Sequence, residues 1–202
     1  MRAEFLFDVA SPNAYLAYRV LPALEQRTGV RFERTPVLLG GIFKATHNRS
    51  PLEAFAGVPS KLAYERRELT RFVARHGIAF EMNPHFPVNS LLVMRILTAA
   101  SLEDHLAPYL EALMQHMWQT PRKLDEPEQV RAVLDEAGLE AERMLARAQE
   151  PAVKATLLER TSGAVARGAF GLPTFFVNGE MFFGKDRLRD VEDEVERVKR
   201  SA

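Results

Sequence analysis

The sequence contains no cysteine, which excludes disulfides, Cys-based zinc sites and thiol redox chemistry by the protein's own side chains. Any sulfur nucleophile must come from a ligand. Neither sign of charge prevails, because 27 basic and 27 acidic residues cancel. Phosphate binding usually carries a basic excess, so nucleic acid is not expected as a partner. No apolar run approaches the ~18 residues of a membrane helix, and no membrane partner is expected. The opening stretch holds Arg2, Glu4 and Asp8, unlike a secretory h-region, so the expected compartment is the cytoplasm. The histidines, His47, His76, His85, His105 and His116, lack metal-ligand spacing, and no metal is expected. There is neither a Gly-x-Ser-x-Gly elbow nor a phosphate loop.

What is present is a core-forming chain, 47% apolar over 202 residues, enough for one large domain or a small domain with an insertion. Ala3 to Asp8 reads as a strand, apolar on both faces and therefore central. Ser11-Pro12 opens a helix directly after it, running to about Arg27 with Pro22 inside it and Gly29 beyond its end. Ser is favoured at an N-cap because its oxygen accepts an orphan backbone N–H, and Pro suits the first helical position. Ser11 is thus a plain cap or, beside the positive end of a helix dipole, a place for an anion or thiolate. A hydrolytic triad has only His47 as a conceivable base.

Val30 to Thr35 alternates as a second strand, parallel to the first, and Pro36 closes its ladder or puts it at an edge. From Ile42 to Pro59 a stretch rich in Gly, Pro and polar residues predicts an irregular loop. Helices then dominate: Ser60 to His76, with Lys61 and Glu65 spaced to pair; a buried helix capped by Asn89 or Ser90; Pro108 to Thr120, with Met114, Met117 and Trp118 inward; and three more up to Gly168. Strands return at Phe175-Phe176-Val177 and Met181-Phe182-Phe183, joined by the hairpin turn Asn178-Gly179. Gly184-Lys185-Asp186 should cap a last amphipathic helix. The order is βαβ, a helical middle, then ββα. It predicts an α/β protein with one four-stranded mixed sheet built from both ends and an all-helical insertion.

The strand-to-helix Ser11-Pro12 with Phe7-Asp8 and Tyr15-Leu16-Ala17, Asn48, Asn89-Ser90 with Met94-Arg95, and above all Ala166 to Thr174 and Gly179 to Leu188 resemble a known family. It is the DsbA-like thioredoxin fold in its glutathione-dependent branch: 2-hydroxychromene-2-carboxylate isomerases and kappa-class glutathione transferases. The resemblance implies a thioredoxin-like domain from residues 1–39 and 168–202, with residues 40–167 as the helical insertion domain. Thioredoxin relatives carry Cys-x-x-Cys where this chain has Ser11 and Ala14, so dithiol exchange is excluded.

The resemblance further implies a glutathione site. Ser11 would be the catalytic contact to the glutathione sulfur, and a cis Leu172–Pro173 bond would present the Leu172 main chain. Lys185 and Asp186 would hold the γ-glutamyl end, with Asp186 on its ammonium; alternatively Asp186 only caps a helix. Asn48 would lie near the sulfur and the substrate, or else is a solvated loop residue. Ser-Pro resembles the bacterial isomerase arm, so the implied activity is glutathione-dependent isomerisation of 2-hydroxychromene-2-carboxylate to trans-o-hydroxybenzylidenepyruvate, the thiolate being regenerated. A small-molecule aromatic substrate and a homodimer go with it. The alternatives are a kappa-like glutathione transferase or peroxidase, and a non-catalytic glutathione-binding module.

Overall fold

In the computed structural model, which describes residues 1–201, the chain ends meet in one four-stranded sheet of order β2-β1-β3-β4. Its strands are β1 (Ala3–Phe7), β2 (Glu33–Pro36), β3 (Thr174–Val177) and β4 (Glu180–Phe183). β2 runs parallel to β1, while β3 is antiparallel to both β1 and β4. β1 is central, as its two-sided apolar pattern predicts, and all five of its residues are buried. β2 starts later than its alternation suggests. The Phe32 N–H is taken by the Glu25 carboxylate at 2.7 Å, so the segment before Glu33 is tied to the preceding helix instead of the ladder. Pro36 lies in this edge strand, the one kind of strand that tolerates a missing N–H. Between β3 and β4, Asn178 and Gly179 both have positive φ, 49° and 94°, as a type I′ turn requires.

The sheet separates two apolar layers. On one face Phe5, Phe7 and Phe175 pack with Tyr15 and Leu16 of α1 (Pro12–Thr28) and with Val191 and Val195 of α10 (Leu188–Arg200). On the other, Leu6 and Phe176 pack with Ile42 of α2 (Leu39–Thr46) and Ala164 of α9 (Pro151–Ala166). The first core continues without a break into the helical middle. Its residues include Met94 and Leu97 of α5 (Leu91–Leu102), Trp118 of α6 (Leu106–Trp118), Val130 of α7 (Pro127–Glu136) and Met144 of α8 (Ala141–Arg147). The Pro59–His76 helix, α4, follows the sequence reading, including the Lys61–Glu65 pair at 3.7 Å.

Two expectations fail. The stretch from Ile42 to Pro59 is not an irregular loop: it holds most of α2 and a short α3 (Pro51–Ala54). Gly184-Lys185-Asp186 does not cap α10 with a side chain; Lys185–Arg187 forms a separate 3₁₀ turn and α10 begins after it at Leu188. Among the described residues no helix is long and apolar enough to cross a membrane.

Candidate functional site

The site is built where β1 turns into α1. Ser11 is the N-cap, with extended backbone at φ −90° and ψ 112°, and its Oγ accepts the Ala14 N–H at 3.2 Å. The hydroxyl proton has a second destination: Oγ donates to the Leu172 carbonyl at 3.3 Å, across 161 residues of sequence. An O–H···O bond prefers about 2.7–2.8 Å, so this one is weak and easily exchanged for a better acceptor. Ser11 is only 4% exposed. Hence the sequence reading as a cap holds, and the hydroxyl also reaches the far end of the chain.

The turn beneath Ser11 is fastened by several hydrogen bonds from distant elements. Asp8 is fully buried; its Oδ1 accepts the Ala10 N–H, and its Oδ2 accepts both the Leu39 N–H and the Ser90 hydroxyl, all at 2.9 Å. Burial pushes the Asp8 carboxyl above the usual carboxylate range, and the three hydrogen bonds pull back only part of that shift. The Val9 N–H meets the Met94 sulfur at 3.5 Å, and the Val9 carbonyl accepts the Trp118 indole N–H at 2.7 Å. Ser90 occupies the N-cap position of α5 but spends its hydroxyl on Asp8, while Asn89 Oδ1 takes the Leu91 N–H at 3.0 Å. The roles of Asp8, Ser90, Met94 and Trp118 were not legible as such. The available signals were Asp8 standing at the strand end, before the Ser11 turn, and the place of Asp8, Ser90 and Met94 among the residues that carry the family resemblance.

The facing wall comes from the segment before β3. The Leu172–Pro173 bond is cis. Leu172 is nearly buried, and among the described residues no acceptor takes its N–H. Buried amides are nearly always paired, so this unpaired donor beside Ser11 is available to an acceptor. The Pro173 carbonyl accepts the Gly184 N–H at 2.9 Å, which sets the Lys185–Arg187 turn against the same segment. The N–H groups of Lys185 and Asp186 likewise have no acceptor among the described residues. Asn48 reaches this wall too, donating from Nδ2 to the Phe170 carbonyl at 2.8 Å from an exposed position.

Lys185 and Asp186 have unequal surroundings. The Lys185 side chain is buried, its Nζ 4.8 Å from the centroid of the Phe72 ring and 2.6 Å from Asp186 Oδ1. The Asp186 side chain is 71% exposed. Both line a cavity of about 510 Å³ between α1, the end of α4 and the start of α10. A second cavity of about 440 Å³, lined by Arg95, Asp125 and Arg131, contains none of the predicted site residues. Ser11, Leu172, Pro173, Asn48, Lys185 and Asp186 are therefore joined through one backbone segment, 170–173, although Ser11 and Lys185 lie at opposite ends of the sequence.

Comparison with known proteins bears on the family and the fold. The model of the DSBA-like thioredoxin domain matches residues 3–196. Human glutathione S-transferase kappa 1 is 31% identical over 203 residues, covering 92% of this chain and 86% of that protein. The 2-hydroxychromene-2-carboxylate isomerase of Sphingobium xenophagum is 25% identical over 189 residues, covering 94% and 95%. A solved structure of 2-hydroxychromene-2-carboxylate isomerase superposes with a TM-score of 0.85 at 27% identity, over 100% of this chain and 97% of that one.

Proposed function

We propose that this chain, which belongs to the DSBA-like thioredoxin domain family, is a glutathione-dependent isomerase. Its substrates would be conjugated aromatic acids of the 2-hydroxychromene-2-carboxylate type, converted to trans-o-hydroxybenzylidenepyruvate. One observation carries the reading: the buried Ser11 hydroxyl stands at a helix N-terminus on a weak bond to Leu172, whose own N–H is unclaimed. The relatives named as isomerases and as kappa transferases span nine-tenths or more of the chain, which supports the reading at the level of the reaction family.

Bound glutathione would supply a thiol nucleophile that adds to the conjugated acceptor and is released when the double bond re-forms. The chain's own residues would hold and tune it. Ser11 would turn its hydroxyl from Leu172 to the sulfur and favour thiolate over thiol, aided by the dipole of α1. The Leu172 N–H and C=O would meet the peptide backbone as an added strand does. Asp186, exposed and acidic, would take the ammonium of the γ-glutamyl end, the free N–H groups of Lys185 and Asp186 its carboxylate, and Asn48 would border the sulfur.

The test is Ser11→Ala. A charge-assisted hydrogen bond is worth about 1.5–3 kcal/mol, or roughly 1–2 pK units on the thiol. The variant should raise the kinetic pKa by that amount and lower turnover at neutral pH. An unchanged pH–rate profile removes Ser11 from the mechanism. The 31% identity to human glutathione S-transferase kappa 1 favours a second reading, a transferase or peroxidase using the same site. Stoichiometry separates the two: the isomerase regenerates glutathione, the transferase consumes one per product.

A further inference from the structure

Two phenylalanine rings lie bare at the edge of this site. Phe170, on the loop after α9, is 40% exposed, and Phe183, at the end of β4, is 41% exposed. Their centroids are 4.5 Å apart at an interplanar angle of 48°, so they form one continuous aromatic surface from two separate elements. The surface is tied to the Ser11 wall on both sides. Phe170 is two residues from Leu172, a span of at most about 7 Å, and Leu172 carries the Ser11 hydrogen bond. Phe183 is the ladder partner of Thr174, which follows Pro173. Between them, Gly171 brings its backbone under the Phe183 ring so closely that a Cβ there would fall 2.8 Å from a ring carbon.

Burying a phenylalanine side chain is worth about 1.5–3 kcal/mol, so two half-bare rings at a polar cleft forgo a sizeable fraction of that. A flat apolar group laid on them would recover it. A cationic residue adjoins this wall in sequence. Arg49 follows Asn48, whose Oδ1 accepts the Arg49 N–H at 2.9 Å and whose Nδ2 holds the Phe170 carbonyl. The Arg49 side chain is exposed and, among the described residues, has no ion-pair partner.

We propose that Phe170 and Phe183 form the platform for the acceptor, taking the flat ring of a planar aromatic acid, with Arg49 facing its carboxylate. The inference rests on the glutathione reading and adds to it where the second substrate lies and which side chains select it. The platform rewards an aromatic ring attached near the sulfur and gives nothing to a small aliphatic group.

S-substituted glutathiones test this directly, because their substituent occupies the acceptor position without any reaction. Calorimetry on the full chain should find S-benzylglutathione at least tenfold tighter than S-methylglutathione, and S-(4-carboxybenzyl)glutathione tighter still. Phe170→Ala should reduce the benzyl-to-methyl ratio to threefold or less, with affinity for glutathione itself within twofold of wild type. Phe183→Leu, which keeps an apolar side chain and so spares the fold, should give an intermediate ratio. Arg49→Gln should erase only the gain from the carboxylate. If wild type binds glutathione but has no benzyl preference, or keeps it in Phe170→Ala, the platform is refuted while the glutathione site stands. If wild type binds none of these ligands, the glutathione reading falls and the platform with it. If Phe170→Ala changes the sedimenting mass and leaves the ratio intact, the rings are a contact between copies of the chain, and the platform is overturned.

Discussion

Trp118 donates its indole N–H to the Val9 carbonyl at 2.7 Å, so a side chain from α6 fixes the peptide two residues before Ser11. It is the chain's single tryptophan, and its ring is stacked on Phe80 at 5.7 Å between centroids. Tryptophan emission, excited selectively over the four tyrosines, therefore reports from a side chain bonded to the Ser11 turn. Titrating glutathione should change Trp118 emission with the dissociation constant that calorimetry gives. Trp118→Phe keeps an aromatic ring but strands the Val9 carbonyl, a cost of about 1–3 kcal/mol. Urea unfolding should register that loss, and glutathione affinity should fall with it. Full stability with unaltered affinity would mean the indole bond does not hold the turn.

Asp8 gives a prediction with a definite sign. In the unfolded chain it titrates near 3.8, and in the folded chain burial raises it. Above 3.8 the native state keeps a proton that the unfolded state has released, so Asp8's contribution to stability is full below that value. It is lost as pH rises through the folded pKa. Asp8→Asn cannot titrate there. Urea midpoints of both proteins between about pH 4 and 7 should show the wild-type advantage shrinking as pH rises. A level or growing advantage would mean that the bonds from Leu39, Ala10 and Ser90 outweigh the burial of charge.

The same bonds explain what was and was not legible in the sequence. β1, α1, the hairpin and α10 announce themselves through local chemistry: a run apolar on both faces, Ser11-Pro12, Asn178-Gly179, a steady apolar stripe. α2 does not, because its cap is not local. Leu38 at its N-cap offers no side-chain oxygen, and the first amide, Leu39 N–H, is satisfied by Asp8 from 31 residues away. Gly40 and Gly41 then read as loop, although Gly41 is where α2 packs against Thr161 of α9. The diversion of Ser90 to Asp8 is hidden for the same reason. The wall opposite Ser11 was legible as a motif, but the burial of Lys185 against the Phe72 ring and the bare Phe170–Phe183 surface depend on packing between elements, which spacing alone does not encode.

Glu4 on β1 tests how charge is tolerated in the sheet. Arg167 grips its buried carboxylate with two hydrogen bonds, 2.8 and 2.9 Å, while its guanidinium lies 3.6 Å from the Phe176 ring centroid. Removing one partner of a buried pair usually costs about 3–5 kcal/mol, but Arg167 is partly solvated and Arg2 offers a second cation at 3.2 Å. Arg167→Met should therefore cost about 2 kcal/mol. The double variant Glu4→Val, Arg167→Met should recover most of it in thermal or urea unfolding. A double variant as unstable as the single one would assign the loss to the Phe176 contact.

Lys185 and Asp186 were expected to act together on the γ-glutamyl end, yet the Lys185 ammonium already sits 2.6 Å from Asp186. A ligand ammonium must then share that carboxylate with a buried cation, and the two single variants should move affinity in opposite directions. Asp186→Asn removes the ligand's anionic partner and should weaken glutathione binding by about threefold to tenfold, the range for a pair this exposed. It also leaves Lys185 with the Phe72 ring as its remaining contact, so a lower melting temperature should accompany the loss. Lys185→Met fits the same buried space without charge and frees Asp186 for the ligand, so affinity should be equal or tighter. If Lys185→Met instead weakens binding as much as Asp186→Asn does, Lys185 is itself a ligand contact, with the glutathione carboxylate as its partner, and the assignment of Asp186 to the ammonium loses its support.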